Sequence, residues 1–279
     1  PTLLDRRGPS KIEGQTRFIS HKGAHKMLQG KRGLIVGLAN ANSIAWGIAE
    51  KAKQQGAELG FTYLNAAIEK RMRPLAESLQ ASYILPCDVN DEASLDALFQ
   101  EIESKWGKLD FLVHSVAFAK GEDLMGRFVD TSRSGFLTAM ETSVYSLVAL
   151  ARRAAPLMTE GGSIVSLSYF GAEKVVKNYN VMGVAKSALE SSVRYLAADL
   201  GPQNIRVNAI SAGAIKTLSA RGIHGFTEML HVTSERSPLK RCVSAAEVGE
   251  SAVFLLSQAS SAITGEVLHV DCGYNIVGM

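Results

Sequence analysis

The sequence RGLIVGLANANSIAWG (residues 32–47) decides the fold class, because an apolar run, a glycine turn and the start of a helix follow one another. The apolar run predicts a buried strand, and the periodicity from Ser43 onward predicts a helix. Gly37 permits a tight turn, Ser43 is expected to cap the helix, and Gly47 is expected to let it pack close to the sheet. The helix N-terminus would offer N–H groups to a pyrophosphate, although an ordinary strand–turn–helix explains the pattern equally well.

The same alternation of strand and helix continues along the chain. Further apolar strands are predicted at 57–63, 82–89, 109–117, 162–168, 205–211 and 266–271. Helices are predicted at 43–55, 66–80, 91–106, 133–156, from Tyr179 onward, at 218–231 and at 245–257. Seven strands separated by helices imply an α/β doubly wound Rossmann fold, with a seven-stranded parallel sheet and helices on both faces. Because no break in composition follows, residues 27–279 are predicted to form one Rossmann-type domain.

Composition and charge exclude several classes of protein. A chain of 279 residues that is 46% hydrophobic can build one sizeable core. Its net charge of +3 comes from residues 1–26, and the rest is close to neutral, so no nucleic-acid surface is expected. Apolar runs stay below ~18 residues, which argues against a membrane-spanning helix. Cys87, Cys242 and Cys272 are scattered, which favours a reducing compartment and no metal site.

Residues 1–26 precede the first predicted strand and show neither helical nor strand periodicity. They are interpreted as a flexible basic leader, a targeting segment or the remnant of an expression tag.

Tyr179 and Lys186 lie seven positions apart in NYNVMGVAKSALESSVRYLAADL (residues 178–200), which has the spacing of a helix. At ~100° per residue, seven positions are close to two full turns, so both side chains lie on one helix face. A cation beside a phenol is expected to lower the pKa of the phenol. Such a tyrosine could donate a hydrogen bond to an oxygen that gains negative charge. On spacing alone, a helix-start tyrosine and a surface lysine explain the pair as well.

The ends of the predicted strands indicate a dinucleotide cofactor. The second strand ends at Asn65, which could bind a ribose 2′-hydroxyl, and no cation stands beside it for a 2′-phosphate. NADH is therefore favoured, with NADPH as the alternative. Asp88 follows the third strand and could accept a hydrogen bond from the adenine amine or simply belong to a turn. Ser115 and Ala117 end the fourth strand and would line the cofactor site.

The segment SYFGAEKVVKNYNVMGVAK (residues 168–186) contains Tyr169, Tyr179 and Lys186. This arrangement resembles the NAD(P)H-dependent enoyl-acyl carrier protein reductases of bacterial type II fatty-acid synthesis, within the short-chain dehydrogenase/reductase superfamily. Most members of that superfamily place the lysine four residues after the tyrosine, but this chain has Gly183 there. Ser166 has the offset of their usual serine. The resemblance covers residues 28–279, including HSVAFA, RVNAISAG and GEVLHVDCGY.

The resemblance implies that NADH delivers hydride to the β-carbon of a trans-2-enoyl thioester carried on acyl carrier protein, the last reductive step of each elongation cycle. Tyr179 would stabilise the enolate, Lys186 would hold the nicotinamide ribose, and Tyr169 would border the substrate pocket. The implied cofactor contacts are Gly37, Ser43, Ile44, Asp88, Val89, Ser115, Lys186, Ile215 and Thr217. The implied substrate contacts are Ala117, Ala119, Leu124, Tyr169, Phe226 and Met229, with residues 217–231 as a lid. A cytoplasmic homotetramer is also implied.

Two other functions stay open at this point. A carbonyl-reducing short-chain dehydrogenase would use Ser166 and Tyr179 on a ketone, but it would need a lysine at position 183. A catalytically silent NAD(H) sensor would keep the fold, but it would not require Tyr169, Tyr179 and Lys186.

Overall fold

The structure, a computed structural model, describes residues 26–217 and 225–278. The predicted leader, except for its last residue, and residues 218–224 of the predicted lid lie outside the described residues.

The described residues form one seven-stranded parallel sheet, as the strand–helix alternation predicts. Its strands are β1 (Arg32–Val36), β2 (Glu58–Tyr63), β3 (Tyr83–Pro86), β4 (Phe111–His114), β5 (Gly162–Ser168), β6 (Ile205–Ala212) and β7 (Val267–Val270). The spatial order is β3-β2-β1-β4-β5-β6-β7, and all neighbouring pairs are parallel. From β1 the chain adds β2 and β3 toward one edge of the sheet, and it then adds β4 to β7 toward the other edge. The order of strands therefore reverses between β1 and β4. In a doubly wound sheet, ligands bind beyond the carboxyl ends of the strands at this switch point.

Helices cover both faces of the sheet, which confirms the predicted layers. They are α1 (Ile44–Gln54), α2 (Ala66–Ser78), α3 (Glu92–Trp106), α4 (Arg133–Met140), α5 (Ser146–Ala154), α6 (Asn180–Leu200), α7 (Phe226–Arg236) and α8 (Ala245–Leu256). One apolar cluster packs α3, α5 and α6 against the sheet, and the other packs α1, α2 and α8 against the opposite face. The core therefore lies in two layers, and the carboxyl ends of the central strands stay accessible between them.

Several predicted elements differ from the pattern: the strand predicted at 109–117 spans only Phe111–His114, and the described part of the helix predicted at 218–231 begins at Phe226 and continues to Arg236. Two further differences have a local cause. The third strand ends at Pro86, because Asp88 enters a turn in which its Oδ1 accepts a hydrogen bond from the Asn90 N–H at 2.9 Å. The predicted helix at 133–156 is divided by one turn of π-helix at Glu141–Tyr145. The Ser146 hydroxyl donates to the Thr142 carbonyl within this turn, a side-chain contact that periodicity does not reveal.

The expected roles of Ser43 and Gly47 in the first strand–helix turn are both wrong in detail. Ser43 occupies the N-cap position, but its hydroxyl accepts from the Ala39 and Asn40 N–H groups at 3.2 and 3.0 Å rather than capping α1. A Cβ on Gly47 would overlap the Ala245 carbonyl oxygen, so this glycine lets α1 pack closely against α8 rather than against the sheet. Ser43 therefore holds the loop before α1 and leaves the first turn of α1 without a side-chain cap, whereas Gly47 allows close packing of α1 and α8.

No described helix combines the length and the apolar character that a bilayer crossing requires. All three cysteines, Cys87, Cys242 and Cys272, are free thiols.

Candidate active site

A cavity of about 410 Å³ opens at the carboxyl ends of β1, β4, β5 and β6. The topology places it at the switch point of the sheet, where a doubly wound fold binds its ligand. Its lining contains most of the residues predicted for the site: Gly37, Ser43, Ile44, Ser115, Ala117, Ala119, Leu124, Tyr169, Tyr179, Lys186, Ile215, Thr217 and Phe226. Residues from distant parts of the sequence therefore meet in one crevice.

Gly37 shapes the floor of this cavity. Its φ is +104°, and a Cβ at this position would overlap the Ser115 carbonyl oxygen. The Ser115 N–H donates to the Val36 carbonyl at 2.8 Å, which joins the ends of β1 and β4. Only glycine lets the backbone turn so close to the neighbouring strand, so a flat ligand can approach the N-terminus of α1.

Tyr179 lies at the N-terminus of α6 with its side chain almost fully buried. Its ring meets the ring of Tyr169 edge to face, with centroids 5.0 Å apart. Burial, with a smaller contribution from Tyr169, raises the pKa of the Tyr179 phenol above its usual value. The expected lowering of this pKa by Lys186 is therefore wrong, because loss of solvent outweighs any attraction by the cation. Tyr179 stays a neutral phenol and can donate a hydrogen bond.

Lys186 lines the same cavity as Tyr179, which confirms that the two side chains share one face of α6. Its ammonium is buried and donates to the Leu167 carbonyl at 2.7 Å. Burial lowers the pKa of Lys186 to about 8, although Glu190 one turn later opposes the shift. The ammonium keeps two further N–H donors, which can reach into the cavity.

Tyr169 connects the cavity wall to α7. Its hydroxyl donates to Met229 Sδ at 3.2 Å, and a thioether is a weak acceptor. Burial raises the pKa of Tyr169 to about 12, so this phenol is also neutral. Met229 does not itself line the described part of the cavity, but it touches a residue that does.

Asp88 and Val89 do not belong to the described lining of the cavity. They follow the carboxyl end of β3, and the Asp88 N–H donates to Ser94 Oγ at 3.0 Å. Asp88 thus acts as a turn residue, and its contact with an adenine stays a prediction. Asn65, expected to bind a ribose hydroxyl, caps α2 by accepting from the Ile68 N–H at 3.1 Å.

Several lining residues escape the sequence analysis. Val116, Gly121, Leu167, Ser168, Met182 and Gly213 all face the cavity. Met182 could have been found, since it follows Tyr179 by one turn of the same helix. Ser168 ends β5 and donates to the buried Glu190 carboxylate at 2.5 Å, a pair that no short motif indicates.

Ser166 does not occupy a catalytic position. It is completely buried within β5, and its hydroxyl lies 2.8 Å from His114 Nδ1 on the neighbouring strand. Its side chain is therefore part of the sheet interior rather than of the described cavity lining. The serine that a carbonyl-reducing short-chain dehydrogenase would use is not available to a substrate here.

These features define a class of protein. A doubly wound parallel sheet, a glycine turn after β1, and a tyrosine and lysine from one helix at the switch point are the elements of a short-chain dehydrogenase/reductase.

Comparison with known proteins narrows this class. The sequence model described as enoyl-(acyl carrier protein) reductase matches residues 37–275. The chain is 56% identical over 256 residues to enoyl-acyl-carrier-protein reductase (NADH) 1 of Rhizobium meliloti. The aligned residues cover 92% of this chain and 94% of that relative. The chain belongs to the enoyl-acyl carrier protein reductase family.

Solved structures of this family have the same fold. The reductase from Anaplasma phagocytophilum, in complex with NAD, is 53% identical and superposes with a TM-score of 0.88 over 92% of this chain and 98% of its own. The reductase from Bacillus cereus, with NADP+ and indole naphthyridinone, is 52% identical with a TM-score of 0.90, over 91% of this chain and 100% of its own.

Proposed function

We propose that this chain uses NADH to reduce the trans-2 double bond of enoyl thioesters carried on acyl carrier protein. The observation that carries the proposal is the pairing of a neutral, buried Tyr179 with the Lys186 ammonium in one cavity. The names of close relatives, which specify NADH, support the choice of cofactor. The Bacillus cereus structure holds NADP+, so NADPH is the alternative cofactor.

The cavity has features that fit a dinucleotide. Glycine at position 37 lets the chain turn where a Cβ would overlap the Ser115 carbonyl oxygen, and the first turn of α1 has no side-chain cap. The N–H groups at the start of α1 can therefore bind a pyrophosphate, together with Ser43 and Ile44. Ser115, Ile215 and Thr217 would contact the ribose and nicotinamide portions. When bound, NADH supplies a hydride for the β-carbon of the thioester.

In this proposal Tyr179 stabilises the enolate. As the β-carbon gains hydride, negative charge develops on the thioester oxygen, and the phenol donates a hydrogen bond to it. A proton that comes from solvent then adds to the α-carbon, which collapses the enolate and completes the reduction. Because burial raises the pKa of Tyr179, the phenol keeps its proton at neutral pH. Lys186 orients the nicotinamide ribose with the donors that its bond to the Leu167 carbonyl does not use.

The substrate would extend from Tyr179 toward α7. Ala117, Ala119 and Leu124 belong to one segment of the apolar cavity wall, and Phe226 from the start of α7 also lines the cavity. Tyr169 would position the thioester, because its hydroxyl can exchange the weak Met229 acceptor for a carbonyl oxygen at little cost. The acyl chain would then lie against apolar side chains while the thioester meets the two tyrosines.

We further propose that the chain acts as a cytoplasmic homotetramer. Exposed apolar side chains at Leu137, Tyr145, Val184 and Tyr195 lie on α4, the π-turn and α6. Such apolar surface supports contacts between copies of the chain.

The decisive assay follows NADH absorbance with crotonyl thioester and, separately, with acetoacetyl thioester. Oxidation of NADH with the crotonyl compound alone is the expected result. Oxidation with the ketone alone would favour a carbonyl reductase, and no oxidation with either would favour a sensor of NAD(H). The buried position of Ser166 and the glycine at 183 argue against the carbonyl reductase.

A further inference from the structure

The π-turn at Glu141–Tyr145 presents one fully buried side chain, that of Ser143, to the back of the cavity wall. Ser143 Oγ accepts from the Phe118 N–H at 3.0 Å and lies 3.2 Å from the Phe118 carbonyl oxygen. It also lies 3.8 Å from Met182 Sδ on α6. One hydroxyl thus joins the wall to the helix that carries Tyr179. A π-turn within an α-helix is rare and frequently marks a functional site.

A buried chain of hydrogen bonds fixes the π-turn to the sheet. Ser146 Oγ donates to the Thr142 carbonyl at 2.7 Å, and His114 Nε2 lies 2.8 Å from the same hydroxyl. Because the Ser146 proton is committed to Thr142, Ser146 must accept a hydrogen bond from His114 Nε2–H. His114 Nδ1 is then an acceptor for the hydroxyl of Ser166, 2.8 Å away. The position of Ser143 is therefore set by β4 and β5.

The wall itself, residues 117–124, has a second anchor. The Asp123 carboxylate accepts from the Ser132 N–H at 2.8 Å and from its hydroxyl at 3.3 Å, at the start of α4. A Cβ on Gly135 would overlap this carboxylate, so the fit is close. Between the anchors at Phe118 and Asp123 lie Ala119 and Gly121, which line the cavity.

We propose that Ser143 is a positioning residue that sets the distance between the wall at 117–124 and the Tyr179 helix, and so determines which acyl chains bind well. This inference rests on the proposed function. Ser143 is not among the residues that line the described cavity, and it acts through Phe118 and Met182. With Asp123 still in place, loss of the Ser143 hydroxyl frees only the Phe118 end of the wall.

A short and a long substrate should respond differently to this loss. A crotonyl group is held mainly at its thioester, whereas a dodecenoyl group also depends on apolar contact along the wall. Ser115 should hold the cofactor end unchanged, because its N–H bond to the Val36 carbonyl does not involve Ser143. Chain-length preference is therefore a readout that a general loss of stability would not produce.

The test compares Ser143→Ala and Ser143→Cys with the unchanged chain, using NADH with crotonyl and with 2-dodecenoyl thioesters. Ser251→Ala is the matched control, because the hydroxyl of this part-buried serine on α8 donates to the Glu247 carbonyl of its own helix, away from the cavity. For Ser143→Ala, kcat/KM for dodecenoyl should fall about tenfold, while that for crotonyl changes less than about threefold. Ser143→Cys keeps a weak donor of similar shape, so its kcat/KM for dodecenoyl should lie between the values of Ser143→Ala and of the unchanged chain. Ser251→Ala should match the unchanged chain with both substrates.

Equal losses with both substrates, no loss with either, or a matching loss of NADH affinity in Ser143→Ala would overturn the inference. The cysteine variant decides the matter by the same criteria if the alanine variant does not fold. An unchanged chain that reduces neither thioester would refute the proposed function itself, and this inference with it. If the unchanged chain reduces both thioesters and Ser143→Ala reduces them with the same kcat/KM values, only the role of Ser143 is refuted.

Discussion

The carbonyl oxygen of Gly171 lies 2.8 Å from the position that a Cβ on Gly183 would occupy. The short turn Phe170–Ala172 thus rests directly on the first turns of α6, where the Ser187 hydroxyl donates to the Ala172 carbonyl at 2.5 Å. This packing brings the two active-site tyrosine rings together. It also leaves no room for the lysine that a carbonyl-reducing relative would carry at position 183.

Replacing Gly171 by alanine tests this packing. Its Cβ would lie 2.5 Å from Cδ1 of Tyr179, so the ring or the turn must shift. We expect Gly171→Ala to lower the free energy of unfolding by about 1–3 kcal/mol and to reduce kcat. Denaturant unfolding and steady-state kinetics check both. Gly201→Ala is the control, since its Cβ would have no atom of the described residues within 4 Å apart from its own chain neighbours. A Gly171→Ala variant that behaved like this control would disprove the close fit.

Replacing Tyr179 by phenylalanine tests its role as the donor to the enolate oxygen. The ring packing against Tyr169 survives, but the hydroxyl is lost. We expect kcat with crotonyl thioester to fall by about 100-fold, with little change in NADH affinity. Stopped-flow turnover and a fluorescence titration separate the two effects. Full activity in this variant would remove Tyr179 from the mechanism.

Lys186 should make the binding of NADH dependent on pH if it holds the cofactor as proposed. Burial lowers the pKa of this lysine to about 8, so the ammonium is charged below that pH and loses its charge above it. We expect NADH affinity to weaken as pH rises through about 8, and Lys186→Ala to weaken it about tenfold with no such pH dependence. Titrations of both proteins over this range provide the measurement. Lys108 lies just before the amino end of β4, on the side of the sheet away from the cavity, and pairs with Glu160, so Lys108→Ala should behave like the parent chain.

His114 should make the fold sensitive to acid. Burial lowers its pKa in the folded chain from 6.5 to about 3, so the unfolded chain binds more protons between these values. The stabilisation is complete above pH 6.5 and is lost as pH falls toward 3, with a slope of ~1.4 kcal/mol per pH unit. Denaturant unfolding at several pH values should show a shallower slope for His114→Asn. The exposed His231→Asn should keep the parent slope, and equal slopes in all three proteins would contradict the neutral state of His114.

The strands and the Tyr179–Lys186 face could be predicted because they depend on local periodicity. The apolar run before Gly37 indicates β1 whatever its neighbours, and seven-residue spacing fixes a helix face. The pKa of Tyr179 could not be predicted, because its direction depends on how completely other segments exclude water. The nearby cation, Lys186, is visible in the sequence, whereas the burial that raises the pKa of Tyr179 arises only in the folded chain.

Contacts between distant segments account for the other differences. The π-turn depends on a hydrogen bond between His114 and Ser146, and Gly47 meets Ala245 from the far end of the chain. Neither pair leaves a signal in local composition. Ser43 shows a subtler limit, since the residue type suits a helix cap but the hydroxyl bonds the loop before it.

Isotopic labelling tests most directly which carbon of the substrate receives hydride from NADH. Crotonyl thioester is reduced with NADH that carries deuterium at the transferable position, and the product is analysed by mass spectrometry and NMR. We expect a saturated butyryl thioester with deuterium on the β-carbon, and solvent deuterium on the α-carbon when the reaction runs in heavy water. Label on the α-carbon from NADH, or a product that keeps its double bond, would contradict this expectation.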